Sequence, residues 1–246
     1  MLHRLSGNQA LEAASGHNSA MTAVNKFGRN SAIAIGEEEV IWDGSTTGYP
    51  FPATALITSM SQTADQATLN GATIEIQGLD ANWDLVIQTA VLGTPSTTVV
   101  TLTTPLIRVF RAKVLADVVS LSPIRIHNAG ETVDYAIISV GQNQTLMAVY
   151  TVPADKTAYM TCYYAHVNPG TNLDPTSNPI RLWASDRTGP YAAQVKNVVG
   201  QISGGFQHFF DPYYKFTEKT DIYITATPVG KAADVSAGFD LIVVNN

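Results

Sequence analysis

The side chains that perform chemistry in proteins are few here, and their spacing matches no catalytic or metal-binding motif. The histidines are His3, His17, His127, His166 and His208, and none lies at the short spacing from another ligand that zinc sites use. The chain lacks a nucleophile elbow, a phosphate-binding loop and a dinucleotide-binding fingerprint. We therefore predict no catalytic residue, no metal site and no cofactor.

Two oxygen-rich stretches and one thiol have both a functional and a structural interpretation. The run GEEEVIWDG, residues 36–44, places three glutamates in a row, which is more typical of a solvated face than of a catalytic carboxylate pair. The loop NPGTNLDPTSNPI matches no EF-hand spacing, so turn formation is favoured over calcium binding by Asn168, Asn172, Asp174 and Asn178. Cys162, the sole cysteine, is expected to be a small buried side chain.

An aromatic cluster near the C-terminus, GGFQHFFDPYYKF, has two interpretations. Rings beside polar groups can stack on sugars, and alternating aromatic residues can also fill a sandwich core or a subunit interface. We favour the core or interface interpretation. The candidate interface or glycan contacts in this cluster are Phe209, Phe210, Tyr213 and Tyr214.

Composition favours a subunit of an assembly. Hydrophobic residues make up 45% of the 246 residues, which excludes a disordered chain, but only 14% are charged, against roughly 25% in ordinary soluble domains. An assembly subunit can replace surface charge with small polar residues. The net charge of −6 argues against nucleic-acid binding, and the absence of a long apolar window or a signal-peptide core predicts no membrane contact.

Short β-branched runs separated by turn residues predict an all-β fold. In TIEIQ, for example, Ile74 and Ile76 alternate with polar residues, whereas IRVFRAKV carries charge on both faces, as a half-solvated or interface strand would. We predict an extended N-terminal arm over residues 1–36, a β-sandwich domain over 37–130 and a jelly-roll-like domain over 131–246.

The arm contains the stretch VNKFGRN, which we interpret as an anchoring segment. Lys26 and Arg29 are expected to meet carboxylates or backbone carbonyls, Phe27 to fill a pocket and Gly28 to allow a bend. The alternative is that Phe27 packs on the edge of the protein's own first sandwich.

The order of several segments resembles a family of structural proteins of tailed bacteriophages, many of them marine. The segments are NKFGRN, EEVIWDG, GYPFP, IEIQGLDANWD, TTPLIRVFRA and QTLMAVYTVPADKTAYMT, which together cover roughly residues 25–165. The resemblance implies a component of the virion, assembled in the cytoplasm of the host bacterium, without assigning its position on the particle.

Within a virion, a β-rich chain of low charge with an extended arm is similar in style to capsid decoration proteins. We therefore expect a non-enzymatic cement protein whose partners are other virion proteins, with the major capsid protein favoured over tail or neck proteins. A homo-oligomer, such as a trimer, is expected. The alternatives are a tail, neck or fibre-adaptor subunit and a module that binds host glycans; a glycan-degrading enzyme is disfavoured because no carboxylate pair is evident.

Overall fold

A computed structural model of the chain describes residues 9–44, 48–168, 176–201 and 203–246. Within these ranges it contains one α-helix, α1 (Gln9–Ser15), a 3-10 turn (Ala67–Leu69) and sixteen strands. The first nine strands are β1 (Met21–Ile33), β2 (Glu39–Val40), β3 (Ile57–Gln62), β4 (Thr73–Leu79), β5 (Leu85–Val91), β6 (Val100–Leu106), β7 (Arg108–Val114), β8 (Ile124–His127) and β9 (Asp134–Ile138). The others are β10 (Val149–Thr151), β11 (Lys156–Asn168), β12 (Pro179–Asp186), β13 (Gln194–Gly200), β14 (Gly204–Phe216), β15 (Thr220–Ala226) and β16 (Ala233–Asn245). The predicted all-β sandwich class is confirmed.

Two antiparallel sheets form a jelly roll. One has the order β1-β16-β11-β14 and the other β10-β15-β12-β13, with β2 also paired to β15. If β2 and β10 are taken together as the second strand, the two sheets have the orders 1-8-3-6 and 2-7-4-5, which is the arrangement of a jelly roll. The sheets enclose one apolar core to which Tyr163, Leu182, Ile224 and Phe239 contribute fully buried side chains.

The second strand of this jelly roll is interrupted by an inserted unit. β2 pairs with Thr225 and Ala226 and β10 pairs with residues 221–223, so the two segments lie in line beside β15. The chain leaves this line after Ile41 and returns at Ala148, and there the Ala148 amide donates to the Ile41 carbonyl at 2.9 Å. The intervening residues therefore form a unit that projects from one edge of the jelly roll.

The inserted unit is a second sandwich with its own core. Its sheets have the orders β6-β3-β8-β9 and β5-β4-β7. The alternation of residues along β4 determines which side chains enter this core. Ile74 and Ile76 are fully buried, while the polar residues that alternate with them remain half-exposed. β9 pairs with β8 and ends at residue 138, so the inserted unit continues past the predicted domain boundary at residue 130.

Strand β7 lies between the two sandwiches, which explains its mixed character. Val109 and Ala112 belong to the core of the inserted unit, whereas Ile107 and Phe110 pack into the core of the jelly roll. A strand that is buried on both faces by different cores cannot show a simple alternation of apolar and polar residues. The sequence pattern indicated an interface strand, and the interface is internal to the chain.

A buried ion pair joins the inserted unit to the jelly roll. Arg108 Nε and Nη2 of β7 donate to the two carboxylate oxygens of Asp221 in β15 at 2.7 and 3.0 Å. Both side chains are almost completely buried. Asp221 also accepts hydrogen bonds from Thr151 Oγ1 and Arg187 Nε, each at 2.6 Å. Four donors thus compensate the desolvation of one carboxylate.

The remaining groups around Arg108 hold its guanidinium in place. Nη1 donates to the backbone carbonyls of Pro52 and Ile107 at 2.7 and 2.8 Å. The guanidinium carbon lies 4.8 Å from the ring centroid of Trp83 and 5.3 Å from that of Phe51. Arg108 therefore exchanges its water shell for carboxylate, carbonyl and aromatic partners.

Part of the predicted arm is a strand of the jelly roll. β1 is extended, as expected, but it pairs in register with β16 from Met21 to Asn30, and Ile33 is fully buried in the jelly-roll core. Residues 21–33 are therefore a structural strand and not an arm free of the sheets. Removal of residues 1–36 would delete a strand of the fold, and residues 1–8 lie outside the described part of the chain.

We expect the substitution Arg108→Met to lower the free energy of unfolding by about 3–5 kcal/mol, because it leaves the buried Asp221 short of its main partner. The matched control is Lys113→Met, which removes the surface ion pair to Glu75 and should cost less than about 1 kcal/mol. Urea denaturation of the two variants measures both changes. Equal changes would show that the buried pair does not hold the two sandwiches together.

Candidate interaction surfaces

The cations of the stretch VNKFGRN meet the predicted kinds of partner, but within the same chain. Lys26 is buried, and its Nζ donates to the backbone carbonyl of Phe110 in β7. Arg29 Nε donates to Asp234 Oδ1 at 3.0 Å, and its Nη2 contacts the second carboxylate oxygen. This hydrogen bonding raises the pKa of Arg29 above its ordinary value. Carbonyl and carboxylate partners were expected on a neighbouring protein, and here they join β1 to the rest of the fold.

Gly28 is required for a close approach and not for a bend. A Cβ atom at this position would lie 2.4 Å from the amide nitrogen of Ala148 and 2.5 Å from the carbonyl oxygen of Ile41. Those two residues form the stem through which the chain enters and leaves the inserted unit. The expected backbone bend at Gly28 is therefore wrong, because the residue lies in a regular paired strand.

Phe27 lies on the opposite face of β1 and is half-buried. It pairs with Gly238 of β16, which in turn pairs with Tyr164 of β11. The ring of Tyr164 covers Gly238, since a Cβ at that glycine would lie 2.4 Å from the tyrosine hydroxyl. Phe27 therefore lies on the outer face of this sheet, in line with Tyr164, and whether it anchors a partner stays a prediction.

The four aromatic candidates of β14 divide between two surfaces. Phe210 and Tyr214 face the jelly-roll core, where they pack partly against it and continue a row of ring contacts that includes Tyr163. Phe209 and Tyr213 point outward and are 67% and 46% exposed. The core interpretation therefore holds for one pair, while the other pair is free to meet a partner.

A cleft opens between the two sheets of the jelly roll at the β13–β14 edge. Its volume is 420 Å³, and its lining includes Asp186, Tyr191, Gln194, Lys196, Tyr214 and Thr220. Lys196 Nζ lies 5.9 Å from the ring centroid of Tyr214 and donates to Gln194 Oε1 at 2.7 Å. Tyr214 is therefore a half-buried part of the lining, with the Lys196 ammonium above its ring.

A groove of 340 Å³ lies at the opposite edge of the jelly roll, between β1 and the inserted unit. Thr22, Val24 and Lys26 line it from the jelly roll, and Leu85 and Ile87 of β5 line it from the inserted unit. β5 directs Val86 and Ala90 into the core of the inserted unit, so its alternate residues point outward.

That outward face of β5 carries three apolar side chains, with the polar Thr89 between the last two. Leu85, Ile87 and Val91 are 53%, 61% and 51% exposed. Exposed apolar residues that stand singly are normal, whereas a contiguous apolar strip marks an interaction surface. We call this strip of Leu85, Ile87 and Val91 the β5 face. Together with the groove beside it, the β5 face is the best-defined candidate interaction surface on this side of the molecule.

The acidic run is only partly solvated. Glu39 is buried and accepts hydrogen bonds from Asn30 Nδ2 and the Ala34 amide, each at 2.9 Å. Glu38 Oε1 accepts a hydrogen bond from Trp183 Nε1 at 3.0 Å. The expectation of a solvated face is therefore wrong for Glu39, because its carboxylate closes the turn between β1 and β2.

The other candidates for chemistry are structural in the described part of the chain. Cys162 is buried and donates to Asp240 Oδ2 at 3.2 Å, and burial followed by this contact raises the pKa of the thiol. His127 Nε2 lies 3.0 Å from Ser61 Oγ, but both residues are buried away from any substrate. Of the proposed calcium ligands, Asn172 and Asp174 lie outside the described residues.

Within the described ranges, no group of three or more His, Cys, Asp and Glu side chains is arranged to hold a metal ion. No described helix has the length and apolar character needed to cross a bilayer.

Sequence reasoning missed the Arg108–Asp221 pair and the groove at β1. The charge within LIRVFRAKV was the available signal for the first, since a cation in an otherwise apolar strand requires a buried partner. The groove depends on the insertion, which brings β5 next to β1, and no local pattern records that contact.

We expect the stability contribution of Lys26 to depend on pH. Burial lowers the pKa of Lys26 well below its ordinary value of 10.5, and the nearby Arg111 adds to this effect. Between the lowered and the ordinary value the unfolded chain binds the proton and the folded chain does not, so the free energy of unfolding rises with pH.

The measurement compares the unfolding free energies of the wild type and of Lys26→Met at several pH values up to 10.5, the ordinary pKa of this lysine. The wild type should gain stability relative to the variant as the pH rises toward that value. Parallel curves would contradict a lowered lysine pKa in the folded chain.

No family model and no curated protein matches the chain. Among solved structures, it is similar to the VP2 subviral particle of infectious bursal disease virus, with 8% identity, 92% of this chain and 76% of that chain covered, and a TM-score of 0.18. It is also similar to T=1 particles derived from infectious bursal virus, with 9% identity, 92% and 79% of the two chains covered, and a TM-score of 0.14. Both are viral particles, and similarity at these TM-scores supports no statement about this chain's fold or function.

Proposed function

We propose that the chain is a structural protein of a bacteriophage virion that decorates the capsid and cements neighbouring capsid subunits. The observation that carries this proposal is the β5 face, in which Leu85, Ile87 and Val91 are exposed around a single Thr89, and Leu85 and Ile87 line the groove at β1. A strip of this kind is stable in water when another protein covers it.

The composition supports an assembled state. A charged fraction of 14% leaves much of the surface without the charge that keeps a monomer soluble. In an assembly, small polar residues and apolar strips make the contacts, and charged residues concentrate at the rim. The same reasoning favours a homo-oligomer, and a closed ring such as a trimer would seat several β5 faces on the capsid at once.

The mode of attachment differs from the one expected of an anchoring arm. Because β1 is fixed in a sheet, the residues of VNKFGRN shape one wall of the groove and do not reach over a neighbour. The two sandwiches, joined through the Arg108–Asp221 pair, present the groove and the β5 face as one preformed surface. A preformed surface loses less conformational entropy on binding than a disordered arm does.

The resemblance of the sequence segments to structural proteins of tailed bacteriophages supports a phage particle as the assembly. A capsid partner, the major capsid protein, follows from the decoration role, and a tail or neck partner remains the alternative. The chain needs no catalytic residue for either role.

The substitution Ile87→Asp tests the proposed surface. A charge in the middle of the β5 face should weaken binding to particles at least about tenfold, or about 1.4 kcal/mol, while the fold is retained because the side chain is 61% exposed. Cosedimentation of the purified protein with particles that lack it measures the affinity.

Val198→Asp is the matched control, since Val198 is 55% exposed on β13, at the far edge of the jelly roll. Its affinity for particles should equal that of the wild type. Wild-type binding by Ile87→Asp, or equal losses in both variants, would remove the β5 face as the attachment surface.

A further inference from the structure

We infer that the cleft at the β13–β14 edge binds a pyranose ring of a polysaccharide. The argument begins with the aromatic lining. Tyr191, which is 60% exposed, and the half-buried Tyr214 both line the cleft. The C–H face of a sugar ring packs against such side chains, which combine a flat apolar surface with a polar hydroxyl group.

The polar lining supplies the second requirement of a sugar site. A pyranose ring carries hydroxyl groups around its rim, and these need donors and acceptors that protein groups have not already consumed. Lys196 has three N–H donors, of which one is directed to Gln194 Oε1. The remaining donors of Lys196 and the amide nitrogen of Gln194 are available at the mouth of the cleft.

The size and the electrostatics of the cleft also fit this ligand. A volume of 420 Å³ falls at the small end of the roughly 300–1,000 Å³ range of ligand sites, which suits one or two sugar rings and not a folded partner. Lys196 and Lys215 line the cleft together with Asp186, so the lining carries two positive charges and one negative charge. A weakly acidic glycan therefore suits the cleft better than a strongly cationic or a highly charged polymer.

The position of the cleft separates this function from attachment to the capsid. β1 and β14 are the two outer strands of the same sheet, so the cleft and the groove at β1 lie at opposite edges of the jelly roll. A protein that is attached through the β5 face would hold the cleft away from the particle. Glycan binding in this cleft does not depend on the proposed decoration role.

An array of bacterial surface polysaccharides, probed with the full chain, tests the inference. The wild-type protein should bind at least one polysaccharide, and Tyr191→Ala should weaken that binding about tenfold or more, because the substitution removes an exposed ring from the lining without removing a core side chain. Lys196→Met should also weaken binding, through the loss of a hydrogen-bond donor.

Tyr213→Ala tests the competing site on the outer face of the sheet, where Tyr213 is exposed, and loss of binding in this variant but not in Tyr191→Ala would place the glycan there and overturn the inference. The binding of Tyr213→Ala should equal that of the wild type, and the thermal midpoints of all three variants should stay close to that of the wild type. Failure of the wild type to bind any polysaccharide, or equal binding by Tyr191→Ala, would overturn the inference. Ile87→Asp should bind as the wild type does, which distinguishes this test from that of the capsid surface.

Discussion

The buried contact between Arg108 and Asp221 is the constraint on which the arrangement of the molecule depends. Asp221 lies near the start of β15, between β10 and β12, and its carboxylate is fully buried. Such a charge is tolerable only with its partners in place, and the principal partner comes from the inserted unit. The jelly roll therefore reaches its low-energy state with the inserted sandwich seated against it. That seating brings β5 beside β1 and forms the groove.

The local sequence pattern predicted the strands of the fold better than it predicted which strands pair with one another. The alternation in TIEIQ placed Ile74 and Ile76 on one face of a strand, and that face lies in the core of the inserted unit. The N-terminal segment was interpreted as an arm because it lacks large apolar residues. In the structure this segment is a strand. Its close contact with the backbone of the insertion stem leaves no room for a side chain at position 28, and its buried Lys26 donates to the Phe110 carbonyl. Its pairing partner lies more than 200 residues away, and no local pattern encodes that distance.

The domain boundaries failed for a related physical reason. Division of a chain into consecutive ranges assumes that each domain is continuous, whereas here one sandwich interrupts a single strand of the other. Among the candidate site residues, Lys26 and Arg29 have a carbonyl and a carboxylate partner within the chain, and their contact with a neighbouring protein stays a prediction. The sequence analysis treated the aromatic residues of β14 as one cluster. Successive side chains of a strand point to opposite faces, so the cluster divides into an inner and an outer set. Composition alone could not decide whether the outer residues, Phe209 and Tyr213, would be buried or exposed.

We propose a binding surface at each edge of the jelly roll: the β5 face and its groove for attachment, and the aromatic and polar cleft for a glycan. The central claim is that the attachment surface covers a capsid lattice, and the number of copies of the chain per purified particle tests it most directly. Quantitative mass spectrometry against the major capsid protein should give hundreds of copies, because decoration repeats with the lattice. About six, twelve or eighteen copies would follow the symmetry of a neck or tail and would contradict the account.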